Sequence, residues 1–245
     1  MLRDLTRQFI FPGSPTAFPT AETLSQRYPG ATLLPIRTSD GLALTAARVP
    51  SREKKKGART IVFFHGNGES AAENLDFAAE LAARGFDVVL AEYRGYGRQP
   101  GAPSEEGVYA DARGVLDAIA VPKEKLVLVG RSLGTGVAVE MAAAGFGAAL
   151  VLISPFTSIP EVAARFLGPI AAVAITDRFD SASKIARVKI PIVVLHGTND
   201  EIVPFALGKR LAEMAGATFF PIPGRGHNDL YEIADQVADA LGLAS

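Results

Sequence analysis

Apolar residues in this chain gather in short continuous runs, at 60–64, 86–93, 125–129, 149–153, 190–195 and 218–222. Runs of this length, rich in Val, Ile, Leu and Phe, read as strands buried on both faces. Stretches of mixed apolar and polar residues lie between them, and 72–84, 104–119, 135–144, 205–215 and 230–241 read as helices. Upstream, 33–38 and 42–49 are separated by Ser39-Asp40-Gly41 and predict an antiparallel hairpin. The alternation predicts an α/β fold: a mostly parallel, eight-stranded sheet with helices on both faces. Ligands of such a sheet bind at the carboxyl ends of the strands.

Two segments stand outside the alternation. At the N-terminus, Leu2, Leu5, Phe9 and Ile10 form one face of a short helix, read as packed on the body. A weak membrane-surface contact is the alternative. The Pro-rich stretch 13–19 reads as an extended arm. The second segment, 155–183, is longer than an ordinary connection and carries Phe156, Ile159, Val162, Phe166, Leu167, Ile170, Val173 and Ile175. It reads as a small cap over the site, the alternative being an ordinary crossover helix. The expected organisation is one domain over 1–245, with an N-terminal arm over 1–32 and the cap inserted at 155–183.

Composition narrows the chemistry. A net charge of −1 lends no support to nucleic-acid binding, and the basic cluster Lys54, Lys55, Lys56 reads as a solvated loop. The chain has no Cys, which excludes disulfides and thiolate chemistry and fits a reducing, cytoplasmic setting. No apolar run reaches the ~18 residues of a membrane span, so no integral membrane segment is expected. The three His residues lack carboxylate partners at ligand spacing, and the glycine loops lack the Lys of a phosphate-binding loop. Neither a metal nor a cofactor is therefore expected.

The chemistry centres on Gly130-Arg131-Ser132-Leu133-Gly134. A G-x-S-x-G pentapeptide between a strand and a helix has the form of a nucleophile elbow. A serine hydroxyl needs an adjacent base. His227 lies in the glycine-rich loop between the last strand and the last helix, so it is the expected base. Asp200 follows the strand at 190–195 and is the expected acid, with Asp229 and Glu201 as rivals by position. The order Ser, Asp, His is the one an α/β-hydrolase requires. Two backbone N–H groups must face the developing oxyanion. Leu133 supplies one by following the serine, and Asn67 in His65-Gly66-Asn67-Gly68 supplies the other. His65 reads as bracing that loop. Tyr93 and Tyr96 either line the pocket or brace the turn 93–97. Phe156, Ile159 and Phe166 are further expected substrate contacts. Arg131 pairs locally or meets an acidic group of the substrate, the local role being preferred.

These motifs, with Ser154-Pro155-Phe156-Thr157-Ser158 and Gly226-His227-Asn228, resemble the α/β-hydrolase superfamily. Within it the chain is most similar to the small-cap, serine-aminopeptidase-like and Bem46-like hydrolases, from about Leu33 to the C-terminus. The resemblance implies a Ser132-Asp200-His227 triad and hydrolysis of an acyl bond; a small-molecule acyl substrate is expected. A carboxylic ester, or a thioester, is the expected substrate. An amidase or peptidase with the same triad, or a binding protein of this fold, is the alternative.

Overall fold

The computed structural model describes residues 7, 10–53, 59–168, 172–229 and 233–243. In chain order the elements are α1 (Ala21–Arg27), β1 (Thr32–Arg37), β2 (Ala43–Val49), β3 (Thr60–Phe64), α2 (Leu75–Ala83) and β4 (Asp87–Ala91). Then come α3 (Glu105–Ile119), β5 (Leu126–Arg131), α4 (Leu133–Ala143), β6 (Ala149–Ile153), α5 (Ile159–Leu167) and α6 (Ser181–Ile185). The last are β7 (Ile192–Gly197), α7 (Phe205–Ala215), β8 (Thr218–Ile222) and α8 (Ala234–Leu243).

The eight strands form one sheet in the order β1-β2-β4-β3-β5-β6-β7-β8. β1 and β2 pair antiparallel, with Leu33 opposite Ala47, and β2 pairs antiparallel with β4. From β4 to β8 every pairing is parallel. The expected fold class is the one observed.

All five residues of β3 are buried, as are all five of β6. Their alternation sorts them onto two cores. Val62, Phe64, Leu128 and Leu152 face the side covered by α3, α4 and α7. Ile61, Phe63, Val127 and Val151 face the side covered by α1, α2 and α8. Each such side chain contributes about 1.5–3 kcal/mol by leaving water. α4 is apolar on nearly every side, Glu140 excepted, and lies almost wholly buried, as a helix at the centre of a large domain should.

Several elements differ from the sequence reading. α1 was not expected within the arm; it begins at Thr20, whose side chain accepts the Thr23 N–H. β5 runs on through Gly130 to Arg131, and α4 starts at Leu133, leaving Ser132 alone between them. β7 extends to Gly197, so His196 belongs to the strand. Most of the proposed N-terminal amphipathic face, the Lys54–Lys56 cluster and Ile170 of the cap segment lie outside the described residues. Ile10 is buried. No helix among the described residues is long and apolar enough to cross a membrane.

Candidate active site

The junction of β5 and α4 dictates the position of Ser132. Its backbone sits at φ 50, ψ −118, a conformation costly for a residue with a side chain. Three hydrogen bonds hold it there. The Ser132 N–H donates to Ile153 O at 2.9 Å, and Thr135 donates to Ser132 O through both its N–H and its hydroxyl, at 2.9 and 2.6 Å. The flanking glycines are required by close approach. A Cβ on Gly134 would lie 2.0 Å from Phe64 O, and one on Gly130 would lie 2.4 Å from Gly134 O. The turn is thus pressed against the end of β3.

Ser132, His227 and Asp200 come together from the ends of three different strands. His227 Nε2 lies 3.0 Å from Ser132 Oγ, and His227 Nδ1 lies 2.8 Å from Asp200 Oδ2. A carboxylate accepts only, so Nδ1 carries the proton and Nε2 is free to accept from the serine hydroxyl. Asp200 is itself tied down. Its Oδ1 accepts the N–H groups of Ile202 and Val203 at 3.0 and 2.7 Å. Burial pushes its carboxyl up, but hydrogen bonds from His196 and His227 outweigh burial and hold it well below the usual carboxylate range. Asp229, the rival by position, instead accepts the Gly226 N–H at 2.8 Å and shapes the loop that carries His227.

The loop after β3 closes the other side. A Cβ on Gly66 would sit 3.4 Å from Ser132 Cβ, so this loop lies directly against the serine. Glu69 folds back to accept the Gly66 N–H at 2.5 Å and the Asn74 side-chain amide at 2.9 Å, and it pairs with Arg131. Arg131 therefore takes the local option. His65 is wholly buried, with its Nε2 2.8 Å from Glu92 Oε1. Leu133 opens α4, and a helix's first N–H groups lack intrahelical partners and point outward.

A cavity of about 440 Å³ opens over Ser132. Its lining mixes polar groups, among them Asn67, Glu69, Arg131 and His227, with the apolar Leu133, Phe156, Ile159, Val162, Ile202 and Val203. An adjoining apolar cavity of about 150 Å³ shares Asn67, Ile159, Val162 and Ile202 and adds Ile10, Ala163 and Phe166. Phe156 and Ile159 both line the main cavity. Phe166 is not in the main cavity; it borders the side cavity and is 51% exposed, because α5 turns that edge outward. Tyr93 and Tyr96 line neither cavity, so of their two expected roles the pocket contact gives way to the brace. Both are fully buried; Tyr93 donates its hydroxyl to His65 O at 3.1 Å and Tyr96 donates to Asn67 Oδ1 at 2.9 Å. They brace the loop from below. Arg94 between them grips Asp111 and Asp40, both at 2.7 Å, which fixes the turn.

Sequence reasoning missed three contributors. Pro12 of the arm forms part of the cavity wall. It is held there by the Gly97 N–H donating to Ser14 O at 2.9 Å and by Phe11 meeting Phe179 edge-on. Nothing local in the arm signals this. Glu69 and Glu92 were also missed, although acids beside H-G-x-G and at a strand's carboxyl end were the available signal. Among the described residues, no group of three or more His, Asp or Glu is placed to hold a metal ion.

A hydroxyl aimed at an imidazole, which is itself held by a buried carboxylate, is an arrangement for taking a serine proton. Comparison with known proteins places the chain in a family. Residues 55–179 match the family described as serine aminopeptidase, S33. An uncharacterized protein of Mycobacterium tuberculosis is 35% identical over 231 residues, covering 91% of this chain and 80% of that one. The alpha/beta hydrolase domain-containing protein aho-3 of Caenorhabditis elegans is 38% identical over 181 residues, covering 70% of this chain and 53% of that one. A solved esterase of Pyrococcus furiosus superposes with a TM-score of 0.75 at 17% identity, covering 95% of this chain and 97% of that one. The chain belongs to the α/β-hydrolase superfamily, within the serine aminopeptidase S33 family.

Proposed function

We propose that this protein is a serine hydrolase that cleaves carboxylic esters of small molecules through an acyl-enzyme. The observation that carries the reading is the unbroken relay from Ser132 Oγ through His227 to Asp200, opening into a cavity lined by both polar and apolar side chains. Ser132 Oγ attacks the acyl carbon as its proton passes to His227 Nε2. The oxyanion is met by the N–H groups of Leu133 and Asn67. Collapse of the tetrahedral intermediate breaks the ester bond, and His227 returns the proton to the departing alcohol. Water then repeats the sequence on the acyl-enzyme, releasing the acid and restoring the Ser132 hydroxyl. Asp200 keeps the imidazole in the required tautomer and stabilises its cation.

An ester is favoured over a peptide by the charge inside the cavity. An aminopeptidase must hold a substrate ammonium. Glu69 is the acid among the described lining residues, and Arg131 already neutralises it. The solved esterase of the same fold supports the same side. A panel of acyl esters, acyl thioesters and aminoacyl amides offered to the purified chain tests the reading. Esters should be turned over best, and turnover confined to aminoacyl amides would replace this reading with the peptidase one.

A further inference from the structure

His65 has acceptors at both ring nitrogens. Its Nδ1 lies 2.8 Å from Gly66 O, and a carbonyl oxygen cannot donate. Its Nε2 lies 2.8 Å from Glu92 Oε1. Glu92 is in turn surrounded by donors: the Tyr93 N–H at 3.1 Å on Oε1 and the Ala71 N–H at 3.0 Å on Oε2. That is the environment of an ionised carboxylate. Acceptors at both ring nitrogens are the setting of a doubly protonated ring.

The oxygen it binds matters. Gly66 O belongs to the same peptide unit as the Asn67 N–H. That unit is planar and trans, so fixing its carbonyl on one side aims its N–H to the other. A charge-assisted hydrogen bond to the carbonyl also draws electron density from the amide nitrogen and makes its N–H a stronger donor. We propose that His65 is a positioning residue whose doubly protonated ring, through Gly66 O, aims and polarises the Asn67 N–H toward the developing oxyanion. The proposal rests on the reading of Asn67 as an oxyanion donor.

The surroundings keep the charge in place. Burial pulls the His65 ring toward its neutral form, but Glu92 and Glu69 outweigh burial and raise it above the ordinary imidazole value. The groups facing the ring are Glu92 and Tyr93 at the end of β4, Tyr96 in the following turn, and Glu69 and Glu73 after β3. Arg131 partners Glu69. Burial drives the phenols of Tyr93 and Tyr96 far up, so they remain neutral donors.

The test is nuclear magnetic resonance of the full chain with 15N-labelled histidine and backbone. At neutral pH, His65 should show two protonated ring nitrogens and keep them through the range where an ordinary imidazole titrates. A bare ring nitrogen on His65 at neutral pH overturns the proposal. Glu92→Gln keeps an acceptor oxygen but removes the charge, so its His65 should lose a proton at lower pH. The Asn67 amide resonance should move along that titration. In the same variant kcat should fall with rising pH along that curve while KM holds. The His65→Asn variant, which keeps a donor near the Nδ1 position without charge, should lose at least about tenfold in kcat, and no more than the ~10²–10³ that deleting an oxyanion donor costs. An Asn67 resonance indifferent to His65, or variants that lose melting temperature but keep the wild-type kcat profile, would reduce His65 to a brace. The ring measurement needs no turnover, so failure of the ester-hydrolase reading and failure of this proposal are separate results.

Discussion

Asp200 reaches His227 at 2.8 Å through Oδ2 while its Oδ1 is occupied by the N–H groups of Ile202 and Val203. The carboxylate is thus fixed before it orients the imidazole. Replacing it by an amide leaves the shape but favours the wrong tautomer. Asp200→Asn should lower kcat by about 10⁴-fold with little change in KM, read from steady-state kinetics on the best ester.

The same carboxylate makes a prediction for acid stability. Its folded pKa lies below its unfolded value, so its contribution is present above the unfolded pKa of about 3.9 and is lost as pH falls through the folded one. Below about pH 4, wild type should lose stability more steeply than Asp200→Asn, since the variant has no proton to take up there. Urea unfolding midpoints across that range check it, and parallel slopes would contradict it.

Ile159 lines both the main and the side cavity, whereas Phe166 touches the side cavity alone and is half exposed. Ile159→Ala should therefore shift the preferred acyl length more than Phe166→Ala. Each methylene gained or lost in an apolar pocket is worth ~0.8 kcal/mol, about fourfold in rate. Competition between esters of graded chain length gives the profile. A larger shift from Phe166→Ala would place the acyl chain on the outer edge of α5.

Gly134 packs its α-carbon against the end of β3, and a Cβ there would meet Phe64 O at 2.0 Å. Backbone must move to admit it. Gly134→Ala should cost at least about 1–3 kcal/mol, a fall in melting temperature of about 2–4 °C per kcal/mol for a chain of this size. Because the same movement displaces Ser132, activity should fall even in protein that remains folded at the assay temperature.

Much of this was legible along the chain because each strand of a two-sided parallel sheet must be apolar throughout. Thr60–Phe64 and Ala149–Ile153 stand out for that reason alone. The elbow was legible because only glycine fits two positions to either side of Ser132, and the positions of Asp200 and His227 because each follows a strand at its carboxyl end. Long-range placement was not. Pro12 enters the cavity wall through contacts with residues more than eighty positions away, such as Gly97, and leaves no local pattern. An aromatic pair in a strand-end turn fits a pocket and a brace equally well. Burial and the partners of their hydroxyls show that Tyr93 and Tyr96 support His65 and Asn67. The side of α5 that faces solvent depends on how the segment leaves β6, so Phe166 could not be separated from Ile159 by spacing.

The central claim is that Ser132 is the nucleophile, and covalent labelling addresses it most directly. A fluorophosphonate probe phosphonylates an activated serine, and peptide mass spectrometry locates the adduct. The account predicts one adduct, on Ser132, formed in step with loss of ester turnover. It predicts no adduct in a folded Ser132→Ala protein, whose turnover should be lower by about 10⁶-fold. An adduct on another residue, or full ester turnover by Ser132→Ala, would contradict it.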